Sequence, residues 1–376
     1  MTKPIQILSV AIPIVTVIIL ACVNGPIIPL YCYMAILFGV PLLTFLLAIG
    51  ISHSVNKSTE YLGAYVTRIT YYEPWNEKVL KLRTVEDGKD SNGMTKYRTE
   101  SYYETVYHPE EYEYETNIGR TGNITEGAFN HWKYILGDDE PRRIEMFRNY
   151  DTINGNAWQY SWNGDVYHMI PLTFKHRYFN PLKYSNSIFK GIKINDNTVS
   201  KYELVRYPEM SNPLYQHCVV GKQDYSSWDT IVQRLNAQLG SQYQFRMLII
   251  VFDGNKTSME PTFQMQKAYW NQGNKNEFVL CIGVDPQTNK LIWHNSFSWC
   301  KEPRLEAEVR NFLSAKQYFD CRELCEFVED KVPTCWKRRE FSEFKYLDTQ
   351  LPNWANILIL TLSIIATICV GLWCLC

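Results

Sequence analysis

None of the short motifs whose spacing encodes a reaction is present. The chain has no GxSxG elbow, GxxxxGK[ST] phosphate loop, HExxH zinc helix or GxGxxG turn, which lowers the expectation of an enzyme. It also lacks a basic excess. With 38 Lys and Arg against 39 Asp and Glu, it has no strong field for non-specific nucleic-acid binding, and no nucleic-acid partner is expected. No internal repeat or low-complexity segment stands out. A composition of 46% hydrophobic and 20% charged residues excludes disorder, collagen and a small disulfide scaffold. The most informative shortage is local: Lys3 is the only charged residue from Met1 to Ser52, and none occurs from Asn353 to Cys376.

These uncharged ends read as membrane segments. Ile5–Val23 gives 19 uncharged residues, Ile27–Ile51 gives 25 and Ala355–Cys376 gives 22, each long enough to span a hydrocarbon core of about 30 Å. Asn24, Gly25 and Pro26 separate the first two as a tight turn, so the N-terminal pair reads as a transmembrane helical hairpin. Pro13 and Pro41 lie inside spans, where they can kink them. Three spans leave the large domain and Cys376 on opposite sides. Lys3, Lys57, Arg68, Lys337, Arg338, Arg339 and Lys345 all flank spans on the domain side. The positive-inside rule therefore places the domain in the cytoplasm, as part of a multi-pass membrane protein. The sequons at Asn56, Asn123 and Asn255 would suit a secretory compartment instead, and Cys369, Cys374 and Cys376 would suit palmitoylation if cytosolic.

Between the anchors the expectation is an α+β domain in two unequal parts. Residues 60–222 are rich in Tyr, Thr, Val and Trp in short runs, the composition of strands. Tyr61–Tyr72 and Lys96–Tyr107 read as a hairpin around the Glu86–Gly93 turn cluster. Thr125 precedes a helix stopped by Gly137, and Asn154-Gly155 and Asn163-Gly164 bracket a short strand. From 223 to 345 the pattern changes. Trp228–Leu239 is a helical stripe ended by Gly240, and Phe245–Phe252 is a buried strand. Pro261 opens a helix, Phe278–Val284 and Lys290–Trp299 are strands, and Pro303 and Asp320 start two more helices. That order predicts an α/β sandwich.

The stretches "EYLGAYVTRITYYEPWNE" at 60–77, "YHPEEYE" at 107–113, "SWNGD" at 161–165 and "YWNQGNKNEFVLCIGVD" at 269–285, followed by "FSW" at 297–299, resemble an uncharacterised family of membrane-anchored proteins of bacteria, phages and other viruses. More distantly, Arg246–Lys331 resembles the TPM domain of membrane-tethered proteins: a buried strand, a helix to Trp270, a Gly-Asn-Lys-Asn turn at 273–276, two strands and paired helices. This resemblance implies membrane-protein maintenance or a receptor-accessory role and, in some members, phosphatase activity. The glycine-rich stretch after that family's third strand is replaced here by Asn295–Trp299, so its active site does not carry over.

Candidate chemistry is sparse. Asp253 and Asp285 each end a buried strand, where ligands of α/β sheets collect, and together could hold a divalent cation or act on a phosphoester. They serve equally well as turn-forming residues. Cys321 and Cys325, four apart, share a helix face as half a metal site or a redox pair that Cys300 and Cys335 would complete if the fold converges them. The alternative is four separate apolar thiols. His217 is the only histidine beside a thiol, Cys218, but neighbours on a strand point to opposite faces. Tyr107, Glu110, Glu111, Tyr112, Glu113 and Tyr114 form an acidic aromatic run that suits a protein partner, or an edge strand with a solvated charged face. No cofactor is expected. The leading expectation is a membrane-anchored interaction or accessory protein, with a viral source among those the resemblance allows, acting on or beside another membrane protein; the alternative is a membrane-tethered, metal-assisted phosphatase.

Overall fold

A computed structural model of the chain describes residues 11–19, 21–22, 30–89, 91–137, 140–151, 153–183, 194–212, 215–344, 346 and 351–375. It is a mixed α+β protein with an apolar helix before and after the domain. The first helix, α1 (Leu30–Met34), passes through a π turn at Ala35–Gly39 into α2 (Val40–Val55). There Val40 N–H reaches back to Ala35 O, a wider turn placed beside Pro41, which has no N–H to donate. Residues 35–55 and 353–373 are each long and apolar enough to cross a bilayer, with a mean hydropathy of 2.3. The expected span at 5–23 lies partly outside the described residues; within it 11–19 and 21–22 are helical.

Strand β1 (Lys57–Tyr72) starts one residue after α2 ends. It is followed by β2 (Trp75–Lys89), β3 (Thr95–His108), β4 (Glu111–Thr116) and β5 (Thr121–Asn123). Helix α3 (Glu126–Leu136) comes next, with Thr125 Oγ1 accepting from Ala128 N–H at its start and left-handed Gly137 at its end, both as expected. Strands β6 (Arg142–Ile144), β7 (Ala157–Ser161) and β8 (Pro171–Phe179), then short helix α4 (Asp196–Lys201), complete the first part. The first sheet runs β5-β4-β1-β7-β6, and β8 pairs with the initial half of β1. Its core is built on Val66, Ile69, Phe129, Leu136 and Tyr160.

The expected pairing of 61–72 with 96–107 is corrected. Tyr72 faces Glu111, whereas β3 pairs with β2, Trp75 facing His108. Strand β2 went unseen because Glu77, Lys78, Lys81, Arg83 and Glu86 dilute its apolar alternation. From Tyr72 to Trp75 and from Glu111 to His108 both strands advance three residues, so the ladder keeps one register across Pro74 and Pro109. The other flank also continues, with a two-residue shift between the Asn76–Ile153 and Lys78–Asn149 contacts. Beyond the Tyr72–Ala157 pair, Glu73 N–H donates to Asn156 O (2.8 Å), Asn76 N–H to Ile153 O (3.1 Å) and Lys78 N–H to Asn149 O (2.9 Å). Gly155, at φ +61°, passes so close that a Cβ there would lie 2.8 Å from Glu73 O. Strands β1 and β2 thus follow one another along one hydrogen-bonded path. At 3.3 Å per residue its contour is about 100 Å, and its last part projects as a two-stranded ribbon.

The second part contains β9 (Met210–Asn212) with β10 (Tyr215–Gln216), then β11 (Val219–Gly221), α5 (Ser226–Tyr243), β12 (Arg246–Asp253), α6 (Met259–Tyr269), β13 (Glu277–Val284) and β14 (Leu291–Ser298). Helices α7 (Arg304–Ser314), α8 (Cys321–Cys335) and α9 (Asn353–Leu375) follow. The sheet order is β11-β12-β13-β14, with β11, β12 and β13 parallel and β14 antiparallel. Every side chain from Arg246 to Phe252 and from Glu277 to Val284 is buried, the pattern of strands covered on both faces. Asp320 caps α8 through Arg322 and Glu323 N–H.

Helix α5 does not stop at Gly240 but continues to Tyr243, with left-handed Gln244 beyond it. Gly240 is a contact residue rather than a terminator. A Cβ on it would lie 2.5 Å from Gly63 O, and one on Gly63 only 2.1 Å from Asn236 O. Backbone therefore meets backbone where α5 crosses β1, locking the two parts together. A buried ion pair does the same at the base of the domain. Glu60, 0% exposed, accepts Arg338 Nη2 on both oxygens (2.5 and 2.7 Å) and meets His176 Nδ1 at 2.7 Å. The apolar helices lie antiparallel: Leu351 and Ala355 pack with Ile51 and Val55 at one end, and Tyr31 meets Trp373 at the other.

Candidate functional site

The carboxyl ends of three parallel strands open into a cleft of ≈ 580 Å³. Because Asp253 pairs in register with Val284, the residue before Asp285, the two aspartates predicted from sequence line one space. Glu203, Lys222, Lys256 and Tyr225 join them there. Asp253 meets Lys256 Nζ at 2.8 Å and accepts Asn255 N–H on Oδ1 at 3.0 Å. The ammonium, with this N–H, holds its carboxyl below the usual carboxylate range against the opposing effect of burial. Asp285 accepts Thr288 Oγ1–H at 2.7 Å and Gln287 N–H at 3.1 Å, which lower it in the same direction. Lys222 donates to Glu203 Oε1 at 2.5 Å. Both aspartates are therefore ionised at neutral pH, and each stabilises its own turn. With three carboxylates facing two ammoniums, the cleft has no strong field of either sign, so a cation would have to compete with Lys256 for Asp253.

A neighbouring groove of ≈ 350 Å³ shares Tyr225 and Gln223 with this cleft and contains His217. Asp229, 2% exposed in the first turn of α5, lies beneath it. Its Oδ1 accepts Cys218 and Val219 N–H at 2.6 and 3.0 Å. Its Oδ2 accepts the Tyr215 hydroxyl at 2.7 Å and Gln233 Nε2–H at 3.0 Å, and lies 2.8 Å from His217 Nδ1. With Nδ1–H donated to Asp229, Nε2 remains as the acceptor. His217 and Cys218 diverge as strand geometry requires: Cys218 is fully buried, and burial pushes its thiol up. Nothing in the sequence pattern singled out Asp229, whose partners are reached only through the fold.

The four cysteines considered as a metal site fall into two pairs. Cys321 and Cys325 are hydrogen-bonded to each other, which with burial raises the Cys325 thiol. Cys300 Sγ lies 3.9 Å from Cys335 O. Among the described residues no group of three or more His, Cys, Asp or Glu could hold a metal ion. The acidic aromatic run is split by its own alternation. Tyr107, Glu110 and Glu111 are exposed, Tyr112 stacks on Tyr71 at 5.1 Å, and Tyr114 is in the first core, edge-on to Trp132. Glu113 is half-buried beside them.

What continues outward from Tyr107 is the ribbon, and it has two unlike faces. The register puts Lys81, Arg83, Arg98, Glu100 and Glu104 on one side, where Lys81 pairs with Glu104, Arg83 with Glu100 at 3.3 Å and Arg98 with Glu100 at 2.5 Å. Leu80, Leu82, Tyr97, Tyr103 and Tyr107 share the opposite side, and all five are exposed. No family model, curated protein or solved structure matches the chain.

Proposed function

We propose that the chain is a membrane-anchored interaction or accessory protein that acts beside other membrane proteins. The observation that carries this reading is the β1–β2 path, which leaves α2 after one residue and ends in an exposed ribbon. An arm on an apolar base suits presentation of a surface at a distance from the bilayer. Lys57, Arg68, Lys337 and Arg339 support a cytoplasmic domain by the positive-inside rule; Arg338 contributes less, because Glu60 occupies its guanidinium. Crosslinking in native membranes followed by purification tests the reading. The intact chain should recover a reproducible membrane-protein partner that a chain lacking 79–104 does not, and recovery of no partner would sink it.

A second reading is a membrane-tethered, metal-assisted phosphatase, favoured by Asp253 and Asp285 lining one cleft. Its test is turnover of a generic phosphoester with Mg²⁺, Mn²⁺ or Zn²⁺. Activity abolished by Asp253→Asn in a folded protein supports it, and an inactive wild type with all three ions removes it.

A further inference from the structure

Resting on that reading of the ribbon, we infer that its leucine–tyrosine face is a self-association surface, and that two copies in one bilayer pack Leu80, Leu82, Tyr97, Tyr103 and Tyr107 against the same residues of each other. The two faces differ in what they require. The charged side satisfies itself through the Lys81–Glu104, Arg83–Glu100 and Arg98–Glu100 pairs. On the other side Leu82 is 70% and Tyr103 62% exposed, and neither belongs to any core of the described residues. Between Lys78 and Glu86 every residue on this face is uncharged: Leu80, Leu82 and Thr84 on β2, Thr99, Ser101 and Tyr103 on β3.

The protein's own bilayer is the wrong occupant. The β1–β2 path carries this face away from Lys57, its membrane-proximal start, by on the order of 75 Å of contour. A second copy fits on symmetry and on area. Leu80 faces Tyr103 across the ribbon, so a two-fold axis running along it lays Leu80 of each copy over Tyr103 of the other. It lays Lys78 of each copy over Thr105 of the other and Glu86 over Tyr97, so no charge sits directly on a like charge, and it leaves both sets of anchors in the same membrane. Three tyrosines and two leucines at these exposures offer on the order of 500 Å² of apolar surface per copy. Two copies thus bury about 1,000 Å², the lower limit of a specific interface. Such an interface is weak in dilute solution, but confinement of both partners to a bilayer raises their effective concentration and populates it.

Photobleaching-step counting of the full chain, labelled and reconstituted in supported phospholipid bilayers, tests this. The wild type should pass from one step to two as its surface density rises. Leu82→Lys and Tyr103→Thr should each lower the dimer association constant at least tenfold with unchanged circular dichroism. Lys81→Gln, on the charged face, should leave it unaltered. A wild type that stays monomeric at every density, or a dimer indifferent to both substitutions, overturns the inference. If the wild type is monomeric while the ribbon still captures a different membrane protein, self-association is refuted and the accessory role stands. Density-dependent dimers without any recovered partner give the converse.

Discussion

Replacing Arg338 by alanine should destabilise the domain far more than loss of a surface charge would. Glu60 is fully buried, and Arg338 Nη2 sits 2.5 and 2.7 Å from its two oxygens. Its other close partner is the His176 imidazole, 2.7 Å away and 45% exposed. Removing the guanidinium strands a carboxylate without its principal counter-charge, and breaking a buried pair from one side costs about 3–5 kcal/mol. At roughly 2–4 °C per kcal/mol for a domain of this size, the unfolding midpoint should fall by about 6–20 °C. Removing both charges with residues of similar volume, Glu60→Gln with Arg338→Met, should recover most of that loss, because the desolvation cost disappears with the attraction. Thermal unfolding of the full chain in detergent micelles, followed by tryptophan fluorescence, provides the measurement. The reasoning fails if Arg338→Ala shifts the midpoint by less than about 2 °C, or if the double variant is simply the sum of the single ones.

Three further outcomes follow from the geometry. Gly63→Ala should destabilise by about 3 kcal/mol, since a Cβ 2.1 Å from Asn236 O cannot be housed without separating α5 from β1; limited proteolysis should then cut the chain faster. Trp158 Nε1–H and Asn156 N–H hold the Glu73 carboxyl below its usual range, so its contribution is present above the unfolded value near 4.3 and is lost as pH falls through the lower folded value. Urea midpoints measured from pH 6 to pH 3 should therefore drop less steeply for Glu73→Gln, and an unchanged slope would contradict the assignment. Expression in glycosylating cells should leave Asn56 unmodified whichever way the chain inserts, because it is buried and bonded to Ser52 O, whereas exposed Asn123 and Asn255 acquire glycans only if the domain is lumenal.

The sequence foretold most elements of the second part and few connections of the first. Buried strands such as 246–253 and 277–284 announce themselves as unbroken apolar runs, and Asp253 and Asp285 at their ends place the cleft without any coordinates. Strand β2 does not announce itself, since half of it is solvent-facing ribbon with alternating charge. Gly240 misled for a related reason: a helix terminator and a close-approach glycine look identical until the opposing Gly63 is known. Glu60 and Arg338 do not announce themselves as a pair because 278 positions separate them, and Asp229 does not because its partners on 215–219, 10–14 positions away, meet it only once that segment has folded onto α5. Cysteine accessibility also changes with the fold. All six domain thiols are buried, so their protection from an impermeant reagent reports folding rather than sidedness, and the glycan test is the sounder measure of topology.

Strand β1 is the element on which both parts converge, and this has a consequence for biosynthesis. It is among the first segments of the domain to leave the ribosome, yet β8 at 171–179, α5 at 226–243 and Arg338 must all be made before its surroundings are complete. Glu60 and Arg338 are separated by 278 positions, so at 5–20 residues per second the interval between them is on the order of tens of seconds. Throughout that time a tyrosine-bearing strand stands incomplete, fixed to the apolar helix α2 by a single residue. Nascent chains arrested before residue 338 should accordingly bind chaperones and yield to protease, and acquire resistance only once the sequence preceding α9 has emerged.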